Sequence, residues 1–190
     1  MEESPVINLS FSLDEIMLDF IPKMATAFLA ISGVSGALSG TFASLVMDVG
    51  GRLYSFAAKD ASEVTASLGD LENPTARVSL GMNDLVPLVN PKNADMLLVI
   101  PASLTREKYE HLAKLGGEAR FELKNDDGSV SVITAVFNGK TSPRATLALS
   151  IGEARKLFAR QSNPVEMFMK GSLKITGDID FAMTLQPLFT

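Results

Sequence analysis

The sequence predicts an α+β fold in which β-hairpins are covered by helices. Three observations lead to this prediction. Turns that contain glycine separate runs with alternating apolar residues, amphipathic stretches with capping residues occur at helical spacing, and the two halves of the chain carry similar strings. The 190 residues suffice for one ordinary domain or for two small domains packed together.

Composition favours a folded protein with a large core and excludes several classes of site. Apolar residues make up 46% of the chain and its mean hydropathy is +0.21. A formal charge of −5 and a pI near 4.9 argue against a nucleic-acid surface, which needs clustered Lys and Arg. The chain has no cysteine, so it can form neither disulfides nor thiolate metal sites.

The first predicted element is an amphipathic helix. Ser12 and Glu15 stand at the spacing of a capping box. Pro22 either kinks this helix or starts a second one at its first turn. The apolar positions that recur at helical spacing are Leu13, Ile16, Met17, Phe20, Met24, Phe28 and Ile31.

A stretch without charged residues follows, over residues 24–47. Its length could cross a bilayer, but serine, threonine and glycine residues divide it into pieces, so we predict no membrane span. Glu2, Glu3, Asp14, Glu15 and Asp19 occupy the region where a secretory signal would need basic residues. We therefore expect a cytoplasmic protein.

The strands of the first half follow. The runs "TFASLVMDV" and "RLYSFAAK" flank Gly50 and Gly51, which predicts a tight hairpin. Further strands are predicted at "SEVTASL" and "ARVSLGM", and a short apolar helix at residues 83–89.

The second half begins with the helix "LTREKYEHLAKLGG", for which Gly116 and Gly117 predict a left-handed cap. A hairpin of "EARFELK" and "SVSVITAVF" is joined by "NDDG", and the strand "SPRATLALS" follows. Ser150 and Glu153 predict a second capping box, which opens a helix through Arg160.

The two halves are predicted to be an internal repeat. Residues 73–96 parallel residues 142–169, with Pro74 matching Pro143, and a glycine, Gly40 or Gly117, opens each preceding hairpin. The second copy lacks one strand, and the first lacks the terminal "GSLKITGD". We expect a first unit at residues 1–104, including the N-terminal helix, and a second unit at residues 105–190, merged around one core.

The last element has more apolar surface than one sheet face can cover. In "GSLKITGD", Leu173 and Ile175 point to one face, whereas the following helix carries apolar residues around most of its circumference. The sister repeat, a second subunit or a lipid could supply the missing cover. The apolar residues of this helix are Ile179, Phe181, Met183, Leu185 and Leu188.

The string "ATLALSIGEARKLFARQSNPVEMFMKGSLKITGDIDFAMTLQPLF" closely resembles the C-terminal half of the type-2 sterol carrier protein domain. Residues 40–91 and the hairpin from Gly116 fit the same family more loosely. The resemblance implies a twisted, mostly antiparallel sheet covered by helices, with an apolar tunnel for fatty acyl chains, sterols or other lipids. It also implies a carrier and not an enzyme.

From this resemblance we expect a hydrophobic tunnel, no cofactor and no metal. The expected partner is a fatty acid, an acyl-CoA or a sterol-like lipid, with transient membrane contact and a homodimer as further expectations. The alternative is a non-enzymatic interaction module whose apolar surface mediates dimerisation or docking to a partner enzyme. The predicted tunnel residues are Phe121, Leu157, Phe158, Met167, Phe168, Met169, Leu173, Ile175, Phe181, Met183, Leu185 and Leu188.

Other polar residues are assigned structural roles. His111, the one histidine of the chain, lies among Glu and Lys residues and is interpreted as a solvated surface residue. Asp126 and Asp127 belong to a hairpin loop. Asp178 and Asp180 flank the start of the last helix, where a carboxylate caps exposed amides.

Overall fold

The computed structural model describes residues 12–32, 38–60, 62–90, 93 and 105–189. These residues form one eight-stranded sheet with the spatial order β3-β2-β1-β4-β6-β5-β7-β8. The strands are β1 (Phe42–Val49), β2 (Arg52–Lys59), β3 (Glu63–Leu68), β4 (Ala76–Leu80), β5 (Gly117–Lys124), β6 (Val130–Phe137), β7 (Arg144–Ser150) and β8 (Leu173–Gly177).

Helices precede, interrupt and follow these strands. A π-helical turn, Ile16–Phe20, joins the first two helices, and a 3-10 turn, Gln186–Leu188, follows the last. The α-helices of the described residues are α1 (Leu13–Glu15), α2 (Ile21–Ser32), α3 (Met82–Leu88), α4 (Arg106–Lys114), α5 (Ile151–Phe158), α6 (Pro164–Met169) and α7 (Ile179–Thr184).

The sheet is mostly antiparallel, and only the pairs β1–β4 and β5–β7 are parallel. The predicted α+β class is confirmed. We call β3-β2-β1-β4 the first half-sheet and β6-β5-β7-β8 the second; they join through the β4–β6 pair. Both contain an antiparallel hairpin whose first strand pairs in parallel with a later strand. This shared connection pattern is compatible with the internal repeat, which stays a prediction.

One face of the sheet carries the main core. Side chains alternate between the two faces of a strand, so residues in register on neighbouring strands share a face. The core face includes Val49, Tyr54 and Leu80 in the first half-sheet and Ala119 and Leu147 in the second, all in one continuous cluster. The opposite face of β5 is polar, with Glu118, Arg120, Glu122 and Lys124.

The predicted N-terminal capping box is confirmed, but the predicted apolar face is partly wrong, because Phe20 is 48% exposed and Ile31 is 86% exposed. The Ser12 backbone N–H donates to Glu15 Oε2 at 2.7 Å, and the Glu15 N–H donates to Ser12 Oγ at 3.2 Å, which completes the capping box. The same hydrogen bonds, first that of the Ser12 backbone, lower the pKa of Glu15. Pro22 lies in the first turn of α2, where it needs no amide hydrogen, and the π-helical turn precedes it.

The predicted hairpin at Gly50 and Gly51 is confirmed, since Val49 pairs with Arg52. The short helix α3 also lies where it was predicted. Asp84 in its first turn accepts the N–H of Gly81 at 3.1 Å and the N–H of Val132 at 3.0 Å. The latter bond ties α3 to β6 beyond the end of β4, because the last β4 pair is Leu80 with Ile133.

The predicted glycine cap of α4 is wrong. The helix ends at Lys114 as expected, but Leu115 leaves it in an extended conformation and not through a left-handed residue. Gly117 is the first residue of β5 and has a positive φ of 143°. A glycine is required there because neighbouring atoms leave no space for a side chain. An added Cβ would lie 2.5 Å from a ring carbon of Phe181 and 2.8 Å from the carbonyl oxygen of Pro143.

The second capping box is only half formed. Ser150 Oγ accepts the N–H of Glu153 at 3.1 Å, whereas the Glu153 carboxylate accepts from Lys156 Nζ at 2.6 Å instead of from the cap backbone. Helix α5 ends at Phe158, not at Arg160, which takes a left-handed turn conformation with φ 55°. Asp178 caps α7 as predicted, with its Oδ1 2.8 Å from the N–H of Phe181.

The uncharged segment 24–47 divides between α2, residues 33–37 that lie outside the described part of the chain, and β1. Among the helices that the structure describes, none has the length and hydropathy needed to cross a bilayer.

Candidate functional site

The predicted tunnel residues lie on the second half-sheet and on the elements that follow it. Phe121 is on β5, and Leu173 and Ile175 are on β8. The helical members are distributed over four consecutive segments: Leu157 and Phe158 on α5, Met167, Phe168 and Met169 on α6, Phe181 and Met183 on α7, and Leu185 and Leu188 at the 3-10 turn.

The sheet supplies an apolar floor. Phe121 pairs in register with Leu147, and Leu147 pairs with Ile175, so the three side chains stand side by side across β5, β7 and β8. The register row towards Gly117 has small residues instead, namely Ala119, Ala145 and Gly177. Large side chains therefore project from the sheet along the Phe121 row, whereas the neighbouring row of Ala119, Ala145 and Gly177 leaves space above the sheet.

Helix α7 packs on β7 and β8, with Phe181, Ala182 and Leu185 buried. Small side chains below it permit a close approach, and Gly117 lies directly against the ring of Phe181. The buried side of α7 is thus fixed by packing. Its other side exposes Ile179 by 49% and Met183 by 37%, which is the surplus apolar surface that the sequence indicated.

Phe189 fills the space above the Phe121 row. Its ring makes edge-to-face contacts with Phe121, at a centroid distance of 6.3 Å and an angle of 74°, and with Phe158, at 5.5 Å and 76°. These values lie within the range of favourable aromatic pairs. The space between the floor and α5 is therefore occupied by a side chain that belongs to the chain itself.

Some predicted tunnel residues face outward. Met167 is buried, but Met169, two positions later on α6, is 81% exposed and Phe168 is 39% exposed. Consecutive helical positions point in different directions, so one short helix cannot direct all three side chains inward. In this conformation Phe168, Met169 and Met183 border solvent.

The hairpin beyond the floor carries buried polar groups. Asn125 Nδ2 donates to Ser131 Oγ at 2.9 Å and to Ser129 Oγ at 3.0 Å. The Ser129 hydroxyl donates its one proton to Asp127 Oδ1 at 2.6 Å, so towards Asn125 it can only accept. Asn125 Oδ1 is buried and has no hydrogen-bond partner. A buried acceptor without a donor is uncommon in a folded protein, because most buried polar atoms form at least one hydrogen bond.

A cleft of about 420 Å³ lies between α4 and α7. His111 borders it, and His111 Nε2 is 2.6 Å from the carbonyl oxygen of Thr184. His111 stays partly exposed, and its contact with Thr184 links α4 to the end of α7. No local pattern could have revealed this contact, since the partners are far apart in sequence. Phe181 is the one predicted tunnel residue among those that line this cleft.

Within the described ranges, no group of three or more His, Asp or Glu side chains is placed to hold a metal ion.

Comparison with known proteins gives a match to a family model and to two curated relatives. Residues 102–190 match the SCP-2 sterol transfer family. Sterol carrier protein 2 of Oryctolagus cuniculus is 31% identical over 99 residues, which cover 47% of this chain and 18% of that protein. Hydroxysteroid dehydrogenase-like protein 2 of Xenopus laevis is 36% identical over 69 residues, which cover 35% of this chain and 15% of that protein.

The matched segments are thus less than a fifth of each curated relative. A solved structure, sterol carrier protein domain 2 of Helicoverpa armigera, aligns with 52% of this chain and 88% of its own length, at 24% identity and a TM-score of 0.39. The match to the family model begins just before α4 and continues to residue 190. Through residues 102–190, this chain is similar to the SCP-2 sterol transfer family.

Proposed function

We propose that the protein is a lipid carrier that holds an apolar ligand between the second half-sheet and helices α5 to α7. The ligand class is a fatty acyl chain, a sterol or a similar molecule, and no chemical step is involved. The observation that carries the proposal is the position of Phe189, whose ring occupies the space between Phe121 and Phe158. The match of residues 102–190 to a sterol transfer family supports it.

The ligand takes the place of Phe189. Removing apolar surface from water contributes roughly 25 cal/mol per Å², whichever molecule provides the cover. A ligand larger than one phenyl ring therefore gains free energy over the closed conformation. Because Phe181 on α7 and Leu185 at its end are buried in the core, we propose that the moving part is the segment after Leu185 and not the whole helix.

The buried oxygen of Asn125 favours a ligand that carries a hydrogen-bond donor. A hydroxyl group on the ligand would satisfy Asn125 Oδ1, whereas a carboxylate has no proton to donate. Among the expected partners, a sterol-like alcohol suits this end of the floor better than an ionised fatty acid. The hydrocarbon part of either ligand would lie along Phe121, Leu147 and Ile175.

The remaining parts of the proposal concern the division of the chain into units and its location in the cell. Residues 1–104 and 105–190 are proposed as two units, and the ligand belongs to the second. The proposed location is the cytoplasm, with membrane contact limited to ligand exchange. A catalytic role is not proposed; the matched part of the dehydrogenase-like relative is 15% of that protein, too little to carry its activity over.

Extraction of the purified protein with organic solvent, followed by mass spectrometry, tests the proposal. A stoichiometric lipid in the extract, together with displacement of a bound fluorescent fatty acid by excess lipid, is the expected result. An extract without lipid, from a protein that also fails to take up the fluorescent probe, would contradict it.

An interaction module is the second candidate function. Ile179 and Met183 stand one turn apart on the exposed side of α7, and β8 is an edge strand of the sheet. A second copy of the chain could cover both. Light scattering distinguishes the two proposals, because a stable dimer without lipid uptake favours the module.

A further inference from the structure

The two edges of the sheet differ in how they are covered. Along β3, helix α2 packs against the strand, and Thr26 Oγ1 accepts the N–H of Val64 at 2.9 Å. Beyond β8, no segment of the described ranges continues the sheet. A strand edge with free N–H and C=O groups is a template for pairing with another chain. The sheet is therefore blocked at β3 and open at β8.

The backbone direction of β8 identifies the groups on this open edge. The N–H of Asp178, just after β8, donates to the carbonyl oxygen of Arg144 on β7 at 2.8 Å. Because backbone groups point alternately to the two sides of an antiparallel strand, those of Thr176 and Lys174 also face β7. The residues of β8 whose N–H and C=O groups point outward are Leu173, Ile175 and Gly177.

One side of α7 borders the same edge. Asp180 and Thr184 line the cleft towards α4. The buried residues that face the sheet are Phe181, Ala182 and Leu185. The remaining side of α7, with exposed Ile179 and Met183, therefore faces away from α4. Helix α4 contacts β1, which lies on the other side of β7 from β8, so Ile179 and Met183 stand on the side of the open edge.

We propose that β8 pairs with β8 of a second copy of the chain, antiparallel and around a two-fold axis at Ile175. In this register all five residues of β8 are paired, and Ile175 exchanges both backbone hydrogen bonds with its own copy. Lys174 lies opposite Thr176 of the second copy, so no like charges are directly opposed. The proposal rests on the second candidate function, the interaction module, and specifies its interface.

The neighbouring registers are less favourable. An axis at Lys174 would place the two Lys174 side chains directly opposite each other, which is destabilising. An axis at Thr176 would pair Leu173 and Lys174 with residues beyond the end of β8. Because β3 is covered, a second copy closes the pairing at two chains and does not extend it into a filament.

Sedimentation velocity over a series of protein concentrations tests this interface. The wild type should show a reversible equilibrium between monomer and dimer. Thr176 is exposed and lies on the face of β8 opposite Ile175, so a charged residue is tolerated there. Thr176→Lys should raise the dissociation constant of the dimer by about two- to thirty-fold, because lysines then oppose each other on both sides of the axis. Thr176→Glu should lower the constant by a similar factor, since it faces Lys174.

A double variant and a matched control sharpen this test. Lys174→Glu combined with Thr176→Lys should dimerise at least as tightly as the wild type, because opposite charges face each other again. Thr65 is an exposed threonine on β3, so Thr65→Lys adds the same charge to the covered edge. Its dissociation constant should lie within about two-fold of the wild type. A wild type that stays monomeric, species larger than a dimer, or equal losses in Thr65→Lys and Thr176→Lys would each overturn the proposal.

The outcome is distinguishable from those of the proposed functions. A dimer whose dissociation constant is independent of the charge at residue 176, as with an interface elsewhere on the chain, overturns the β8 pairing and leaves the interaction module intact. Lipid extraction measures the carrier function separately, and because Thr176 points away from the apolar floor, its variants should carry lipid like the wild type. A dimer of the expected behaviour that carries no lipid contradicts only the carrier function.

Discussion

The two half-sheets share a pattern of strands but are closed in different ways. The first half-sheet is covered by the N-terminal helical segment, whose Met17 is 0% exposed. Asp14 of that segment accepts the hydroxyl of Tyr54 at 2.7 Å and forms an ion pair with Arg52. The second half-sheet is closed at its centre by the ring of Phe189, through the aromatic contacts described above.

We call the N-terminal helical segment over the first half-sheet the fixed cover. We call the ring of Phe189 over the second half-sheet, which we propose that a ligand replaces, the replaceable cover. A charge-assisted hydrogen bond has a defined geometry, and breaking it leaves a polar group that must be resolvated. Ring contacts have no such requirement, and a ligand can reproduce them. We therefore expect one ligand for each chain, held by the second half-sheet, while the first half-sheet acts as a support.

The largest expected effect concerns the fixed cover. Met17→Ala should lower the free energy of unfolding by about 3 kcal/mol, because it leaves a cavity in a fully buried position. Met183→Ala, the control on partly exposed α7, should cost less than about 1 kcal/mol. Urea unfolding followed by circular dichroism measures both values. Similar losses in the two variants would show that the covers do not differ in this way.

The second effect concerns the glycines that open the two hairpins. Gly117→Ala should cost about 3 kcal/mol, since a Cβ would collide with Phe181 and the residue has a positive φ. Gly40 also has a positive φ, of 80°, but nothing lies within 4 Å of its added Cβ. Gly40→Ala should therefore cost only about 1 kcal/mol.

Thermal or urea midpoints of the two glycine variants give the comparison directly. If Gly40→Ala proves as destabilising as Gly117→Ala, backbone strain and not the approach of α7 limits both sites. A Gly117→Ala protein that unfolds like the wild type would mean that Phe181 can move away from β5.

The third effect concerns the hydrogen bond between Tyr54 and Asp14. Tyr54→Phe should cost about 1.5 kcal/mol at neutral pH, because the Asp14 carboxylate loses one of its two donors and keeps only Arg52. Burial, and then the hydrogen bond to Asp14, raise the pKa of Tyr54 to about 12. The folded protein thus keeps this proton at a pH at which an unfolded tyrosine, with a pKa of about 10, loses it.

The stability that comes from this raised pKa is fully present below pH about 10 and is lost as the pH rises towards about 12. The difference in unfolding free energy between wild type and Tyr54→Phe should accordingly shrink as the pH is raised from 9 to about 11. Tyr109 is present in both proteins, so its ionisation cancels. A difference that stays constant over this range would contradict the assigned role of the hydroxyl.

Local patterns were sufficient to predict most of the fold. The Ser12 capping box, the Gly50 hairpin and the strand with Leu173 and Ile175 depend on residues near each other in sequence. Contacts between distant segments could not be read in this way. The approach of Phe181 to Gly117 and the bond from His111 to Thr184 follow from how α4, β5 and α7 meet.

The sequence identified apolar residues of the candidate site, but it did not show which of their side chains face the core. Periodicity identified an apolar last helix, and the buried Phe181 and Leu185 and exposed Met183 show which side faces the core. Met167, Phe168 and Met169 were grouped because they are apolar neighbours, yet one turn of α6 points them in different directions. Phe189 was omitted, since its importance depends on two rings that are distant in sequence.

The smallest expected effect is the most direct test of the replaceable cover. Phe189→Ala removes two edge-to-face contacts, each worth about 0.5–1 kcal/mol, from the closed conformation only. A ligand then no longer competes with the ring, so a fluorescent fatty acid should bind about five- to thirty-fold more tightly. Phe42→Ala, which truncates an exposed ring on the first half-sheet, should leave the affinity unchanged. Weaker binding by Phe189→Ala would instead make Phe189 part of the pocket wall, and the fixed and replaceable covers would then differ only in polarity.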